Sequence, residues 1–177
     1  MSLEIISIKS YFPKKYETLK DLKKYNKDWN IKKIFSSTGI NKRYISSKQE
    51  DVITLSTKSA KKLINKKNKN KIGFILFVTQ TSPYKLPSAS CIIQNKLNLP
   101  QDIFAVDINM GCSGFIYALK LAESLLNNNS KELGLIICSD TYTKFIKHNN
   151  KSCRPIFSDA SSSILLKKSK KNLIGPF

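Results

Sequence analysis

Cys112 is the residue of this chain whose surroundings most clearly predict chemistry. An apolar run over residues 103–108 precedes it, and an apolar helical pattern follows over residues 115–126. This order predicts a strand, a tight turn and a helix, with the cysteine at the helix N-terminus. Unpaired N–H groups and the positive end of the helix dipole stabilise a thiolate there. By its position Cys112 is therefore either a nucleophile or a small thiol that fills the core.

Gly111 and Gly114 flank Cys112 and agree with a nucleophile turn. A glycine at position 111 permits a tight backbone, and a glycine at position 114 permits another segment to approach closely. The backbone amides of such a turn can also help to bind an oxyanion at an acylated thiol. The pattern predicts an elbow that presents a nucleophile above a sheet.

The other potential metal ligands are too scattered to predict a metal site. The four cysteines are separated by 21, 26 and 15 positions, no C-x-x-C pair occurs, and His148 is the one histidine. We therefore expect no zinc site, no disulfide and no cofactor. Of the remaining cysteines, Cys91 is predicted on a helix, Cys138 within a strand and Cys153 in a loop. His148, in the polar loop 147–151, is predicted to be a surface residue.

Apolar runs predict the strands of the sheet that must carry this turn. Those at residues 72–79, 103–108 and 133–138 are nearly continuous, which is typical of strands buried on both faces of a parallel sheet, and residues 156–166 hold a further predicted strand. Helical patterns alternate with them over residues 51–65, 89–97 and 115–126. Ser88 is the predicted N-cap of the second of these helices. The alternation predicts an α/β fold with a mostly parallel central sheet.

Outside these runs the patterns are weaker. Residues 3–8 predict a strand, and residues 18–33 predict one surface helix with Trp29 in its apolar stripe. Residues 36–40 predict a turn, and residues 66–71 predict a solvated loop. The last residues, 172–177, look like the beginning of another strand.

Length and composition bound the class of protein. A chain of 177 residues predicts one domain, over residues 1–177. No apolar run approaches the ~20 residues of a membrane span, and the first residues carry no secretory signal, so we expect a cytosolic protein with no membrane partner. The net charge of +19 indicates either an anionic partner or the lysine bias of an AT-rich genome. Since Arg43 and Arg154 are the only arginines, we do not expect a nucleic-acid partner.

Five segments in the same order resemble β-ketoacyl-acyl-carrier-protein synthase III, a family of the thiolase superfamily. Residues 37–43 resemble its T-G-I-x-x-R element, and residues 87–94 resemble its P-S-A-A-C-x-I-Q helix. Residues 107–119 resemble its active-site cysteine segment. Residues 139–142 resemble the end of its next strand, and residues 155–160 resemble its F-G-D-G-A turn. The resemblance implies a thiolase-like fold, of which this chain is the N-terminal α/β/α half. It implies that Cys112 takes an acyl group from acyl carrier protein or coenzyme A. In a complete enzyme a decarboxylative condensation with malonyl-acyl carrier protein follows, in fatty acid or related acyl-chain biosynthesis.

The departures from the family pattern leave alternatives open. The family's decarboxylating histidine and asparagine belong to a second half of the fold, so the chain is either half of an acyltransferase, one subunit of a split enzyme or a non-catalytic fragment. Ser37 stands where the family has an arginine that binds coenzyme A, and Ser158 and Ala160 replace the glycines of F-G-D-G-A, which predicts a strained or differently shaped turn. The resemblance further implies a homodimer or a complementary C-terminal half as partner.

Overall fold

A computed structural model describes residues 2–128 and 131–169 as a sheet with helices on both faces. Seven strands are described: β1 (Ser2–Tyr11), β2 (Lys15–Thr18), β3 (Lys42–Ile45), β4 (Ile72–Val78), β5 (Phe104–Ile108), β6 (Leu133–Asp140) and β7 (Ala160–Ser169). The five α-helices of the same residues are α1 (Leu19–Tyr25), α2 (Ile31–Thr38), α3 (Val52–Ala60), α4 (Ala89–Lys96) and α5 (Gly114–Asn128). The strand-like pattern 172–177 lies outside the described residues.

The main sheet has five strands in the order β1-β7-β6-β4-β5. Strand β4 is parallel to both β5 and β6, whereas β7 is antiparallel to β6 and β1 is antiparallel to β7. The three strands that carry the predicted nucleophile turn and its neighbours are therefore parallel, and the sheet as a whole is mixed. Strands β2 and β3 pair with each other in a separate antiparallel hairpin.

Strand β4 is the buried centre of the molecule. All seven of its residues are buried, as its continuous apolar run predicts, because helices cover both faces of the sheet. Strand β5 differs from the prediction of a second buried strand. It is an edge strand whose residues are half-buried, and Phe104 is 47% exposed. An apolar run alone does not tell a central strand from an edge strand whose outer side is left open.

Two apolar clusters lie on opposite faces of the sheet and confirm the three-layer α/β/α arrangement. On one face α3 and α4 pack over side chains such as Ile75 and Phe77. On the other face α5 packs over side chains such as Phe74 and Leu76. The alternation of neighbouring β4 residues between the two clusters follows from the two-residue period of a strand.

The predicted helix 18–33 is wrong as a single element. Helix α1 begins after its N-cap Thr18, whose hydroxyl accepts a hydrogen bond from the Asp21 amide, and it ends before its C-cap Asn26. Helix α2 begins after Asn30, which caps the Lys33 amide, and it includes residues 36–38, predicted as part of a turn. Trp29 lies in the link between the helices and is buried, which confirms its predicted packing role. None of the described helices is long and apolar enough to cross a membrane.

Candidate active site

Cys112 lies in the turn that joins β5 to α5. Residues Gly111–Ser113 form one turn of 3-10 helix, and α5 begins at Gly114, so the cysteine lies at the N-terminus of a 15-residue helix. Its side chain is exposed. The placement agrees with the predicted elbow, and in the described residues the Cys112 thiol does not fill the core. The nucleophilic role itself stays a prediction.

The two glycines of the turn are required by its geometry. Gly111 has a φ of +55°, in the left-handed region that other residues adopt at a cost. A Cβ on Gly114 would lie 2.5 Å from Cγ1 of Val78, so the helix start can approach β4 only because position 114 lacks a side chain. Both predicted roles of these glycines are confirmed.

Gln80 and Tyr142 stand beside the turn, and sequence reasoning missed both. The Tyr142 hydroxyl donates a hydrogen bond to Oε1 of Gln80, and the Gln80 carboxamide lies against Gly111. The Tyr142 ring packs on the Phe157 ring with 4.7 Å between centroids. Burial raises the pKa of Tyr142, and the negative charges of Asp140 and of a Cys112 thiolate raise it further. Gln80, Tyr142 and Phe157 therefore form a polar and aromatic wall beside the Cys112 turn.

Asp140 fixes the position of this wall. Its Oδ1 accepts hydrogen bonds from Oγ1 of Thr79 at 3.1 Å, from the Gln80 amide at 2.8 Å and from Oγ1 of Thr81 at 2.8 Å. Oγ1 of Thr81 in turn accepts a hydrogen bond from the backbone amide of Thr141 at 2.9 Å. These bonds join the carboxyl ends of β4 and β6, and β4 lies next to β5, whose carboxyl end leads into the Cys112 turn.

Asp159, in the segment that resembles F-G-D-G-A, has a structural environment. It is fully buried and accepts the backbone amide and hydroxyl of Ser46, at 2.8 and 2.6 Å, and those of Thr143, at 2.9 and 2.6 Å. Among the described residues Asn98 is the one non-glycine with a positive φ. Ser158 and Ala160 are therefore not strained, and Ser158 instead accepts the Tyr44 amide at 2.8 Å.

Arg43, the arginine of the T-G-I-x-x-R element, belongs to a buried charge cluster with Glu17 and Arg154. Arg43 pairs with Glu17, and Arg154 binds both oxygens of the same carboxylate at 3.0 and 2.9 Å. Arg43 also donates to the Phe157 carbonyl at 2.8 Å. Burial lowers the pKa of Arg43, and the charge of Glu17 opposes that fall. The cluster ties the β2–β3 hairpin to the segment that carries Phe157.

The remaining thiols and the histidine lie in other settings. Cys91 is exposed on α4, and Cys153 is half-buried in a loop. Burial, with a smaller contribution from Asp140, raises the pKa of Cys138 to about 11, in agreement with its predicted packing role. His148 is exposed, as predicted. Within the described ranges no group of three potential ligands is placed to hold a metal ion.

The start of α4 corrects one sequence prediction. Ser88 occupies the N-cap position, but its side chain makes no capping hydrogen bond. The Asp107 carboxylate of β5 caps the helix instead, because it accepts the amides of Ala89 and Ser90 at 2.8 Å each. A cap supplied from a neighbouring strand leaves no local signal in the sequence.

A cavity of about 310 Å³ lies between α2 and the loop after residue 150. Lys33, Ser37, Lys151 and Ile156 are among its lining residues. Ser37, which the resemblance aligns with an arginine that binds coenzyme A, thus lines this cavity.

Comparisons with known proteins agree with this fold. A family profile described as 3-oxoacyl-(acyl-carrier-protein) synthase III matches residues 106–176. The β-ketoacyl-(acyl-carrier-protein) synthase III of Acholeplasma laidlawii is 34% identical over 172 residues, which cover 96% of this chain and 55% of that protein. A crystal structure of a 3-oxoacyl-(acyl-carrier-protein) synthase III superposes with a TM-score of 0.92 and 31% identity, over 99% of this chain and 53% of the other. The structure of a 3-oxoacyl-(acyl-carrier-protein) synthase from Burkholderia xenovorans superposes with a TM-score of 0.90 and 27% identity, over 97% of this chain and 50% of the other.

The fold is therefore that of the thiolase-like α/β proteins. Within that class, the chain belongs to the β-ketoacyl-acyl-carrier-protein synthase III family. It spans about half the length of the curated relatives that it matches.

Proposed function

We propose that this chain is the N-terminal, acyl-accepting half of a β-ketoacyl-acyl-carrier-protein synthase III-like acyltransferase. The observation that carries the proposal is the exposed thiol of Cys112 at the N-terminus of α5. Helix N-termini favour a thiolate and offer unpaired N–H groups to an oxyanion. The chain would act in the cytoplasm, in fatty acid or related acyl-chain biosynthesis.

In the proposed half-reaction the Cys112 thiolate attacks the carbonyl carbon of an acyl thioester. A new carbon–sulfur bond forms, and the tetrahedral oxyanion collapses as the thiolate of the carrier leaves and takes up a proton. The acyl group is then held on Cys112, beside Gln80 and Tyr142. Acyl carrier protein and coenzyme A are both candidate donors, because Ser37 replaces the arginine expected for coenzyme A whereas the net charge of +19 suits an acidic carrier.

The second half-reaction calls for groups beyond those of this turn. Condensation needs donors that stabilise the enolate left when carbon dioxide departs from the malonyl group. His148 is the one histidine of the sequence and is exposed in a loop. The family resemblance assigns these donors to a second half, so we propose that the complete enzyme requires a complementary C-terminal half.

Exposed apolar side chains support the proposal of a missing partner. Met110, just before the Cys112 turn, is 46% exposed, and Ile116 and Tyr117, in the first turn of α5, are 54% and 55% exposed. Phe104 is similarly exposed on the edge strand β5. We propose that a C-terminal half and a second copy of the chain cover these surfaces. Size-exclusion chromatography with light scattering is expected to show self-association, and a sharply melting species of 20.1 kDa that binds no hydrophobic dye would contradict the half-fold proposal.

The test of acyl transfer uses the purified chain with acetyl-coenzyme A and, separately, acetyl-acyl carrier protein. We expect one acetyl group per chain by intact mass, mapped to the peptide that contains Cys112. Cys112→Ala abolishes the adduct, whereas Cys91→Ala, which removes another exposed thiol, leaves it intact. A folded chain that takes up no acetyl group supports the alternative of a non-catalytic fragment.

The same mixtures with malonyl-acyl carrier protein test whether the groups needed for condensation lie outside this chain. The chain alone is expected to form no 3-oxoacyl product. A product that disappears in Cys112→Ala would show that the condensing groups reside in these 177 residues after all.

A further inference from the structure

The side chain of Gln80 lies against the backbone of Gly111, the first residue of the Cys112 turn. A Cβ built on Gly111 would lie 3.2 Å from Nε2 of Gln80 and 3.4 Å from its Oε1. The carboxamide therefore lies flat against the residue that precedes Cys112. The amide thus lies against the residue next to Cys112, and the Tyr142 hydroxyl bonded to it is close enough for a Cys112 thiolate to raise the pKa of Tyr142.

The orientation of the amide is set by Tyr142. The tyrosine hydroxyl donates to Oε1, so the oxygen end of the carboxamide is occupied. Nε2 donates no hydrogen bond to another group in residues 2–128 and 131–169. Two N–H donors thus remain available next to the turn.

The supports of this pair are rigid on both sides. The Gln80 backbone amide is held by Asp140 at 2.8 Å, and the Tyr142 ring packs on Phe157. The Phe157 carbonyl is held in turn by Arg43. A donor fixed in this way is preorganised, and it loses hydrogen bonds to water when an apolar group covers it.

We propose that Gln80, oriented by Tyr142, is a specificity-determining residue that donates a hydrogen bond from Nε2 to an acceptor oxygen in the chain of the acyl group on Cys112. The preferred substrate class is an acyl thioester with an ether, hydroxyl or keto oxygen a few atoms from the thioester carbonyl. A plain hydrocarbon chain of the same shape leaves the amide unpaired, and sites built to hydrogen-bond a substrate discriminate strongly against such analogues. This inference rests on the proposed function, because it assigns the substrate class of that site.

The test compares two acyl groups of equal shape. The 3-methoxypropanoyl and pentanoyl thioesters of N-acetylcysteamine differ by one oxygen in place of one methylene. For the native chain and for each variant, we measure the acylation rate of Cys112 by the methoxy compound divided by its acylation rate by the pentanoyl compound. The native ratio is then divided by the variant ratio, so that the difference in intrinsic reactivity between the two thioesters cancels. We expect Gln80→Leu to reduce the preference for the methoxy compound about tenfold, and Tyr142→Phe to reduce it several-fold.

Gln101→Leu is the matched control, because it makes the same change at an exposed glutamine elsewhere and is expected to leave the ratio unaltered. A structural disturbance of the turn by Gln80→Leu would slow both compounds equally. An unchanged ratio in Gln80→Leu therefore overturns the inference.

A second reagent pair separates this inference from the proposed function. Methoxyethyl and butyl methanethiosulfonates place tails of matching length on Cys112 by thiolate attack on the sulfenyl sulfur, with methanesulfinate as the leaving group. If no thioester acylates the chain, the proposed function fails, yet the Gln80→Leu effect on this second ratio still supports the inference. An equal ratio in the native chain and in Gln80→Leu contradicts it whatever the thioesters do.

Discussion

The Cys112 turn and the Asp159 turn both match motifs of one family, but their environments are opposite. Asp159 is fully buried and accepts four hydrogen bonds from Ser46 and Thr143. Cys112 is exposed at the start of a helix, with a polar wall at its side. A motif match alone therefore does not tell a residue that holds the fold from one that is available for chemistry. Exposure and hydrogen-bond partners make that distinction.

The largest expected effect is a difference in thiol reactivity. Cys112 is exposed, whereas Cys138 has a pKa raised to about 11 by burial, which leaves about one thiolate in ten thousand at pH 7. We expect iodoacetamide to label Cys112 at least a hundredfold faster than Cys138 at neutral pH, as measured by peptide mass mapping. Labelling of Cys138 should rise about tenfold per pH unit up to its pKa, because the thiolate fraction does.

Cys91 is the matched control for exposure, because it is also exposed and lies in the first turn of a helix, α4. The Asp107 carboxylate already binds the N-terminal amides of α4, whereas the Met110 side chain does not cap the Cys112 turn, so Cys112 should react faster than Cys91 as well. Equal labelling of these two cysteines would show that the turn does not activate its thiol.

The next effect concerns the stability of the Asp159 turn. Asp159→Ala removes the acceptor for two amides and two hydroxyls, and we expect a loss of about 2–3 kcal/mol in the free energy of unfolding. Urea denaturation followed by circular dichroism measures it. Asp102→Ala removes an exposed carboxylate that pairs with Lys131, and it should leave stability unchanged. Equal effects of the two substitutions would refute the structural role of Asp159.

The smallest effect concerns the cap of α4. Asp107→Ala removes the acceptor of two helix amides and should cost about 1–2 kcal/mol. Ser88→Ala should cost almost nothing, because the Ser88 side chain makes no capping hydrogen bond. The same denaturation measurement compares them, and a larger loss in Ser88→Ala would reverse this assignment.

Much of the parallel core was predictable from local patterns. The run 72–79 predicts β4 because a strand covered on both faces needs apolar residues at every position. The glycines around Cys112 predict the turn because tight backbone and close helix–strand contact leave little room for side chains. Helix α5 follows from its apolar spacing.

Other features were not predictable in this way. The division of residues 18–33 into two helices depends on caps at Thr18 and Asn30, which compete with a continuous apolar stripe. The exposure of β5 depends on its place at the sheet edge, which no property of residues 103–108 records. Residues 156–166 predict a strand, but not that it starts at Ala160 or runs antiparallel to its neighbours.

The sequence by itself determined the strand, the turn and the helix around Cys112, because these arise from residue types within one short segment. Only the tertiary structure decided which groups meet that turn. Gln80 and Tyr142 follow β4 and β6, which are far from Cys112 in the sequence, and the parallel strands β4, β5 and β6 bring their carboxyl ends to one edge of the sheet. Local propensity acts over a few residues, whereas contacts between strands are set by the packing of the whole sheet.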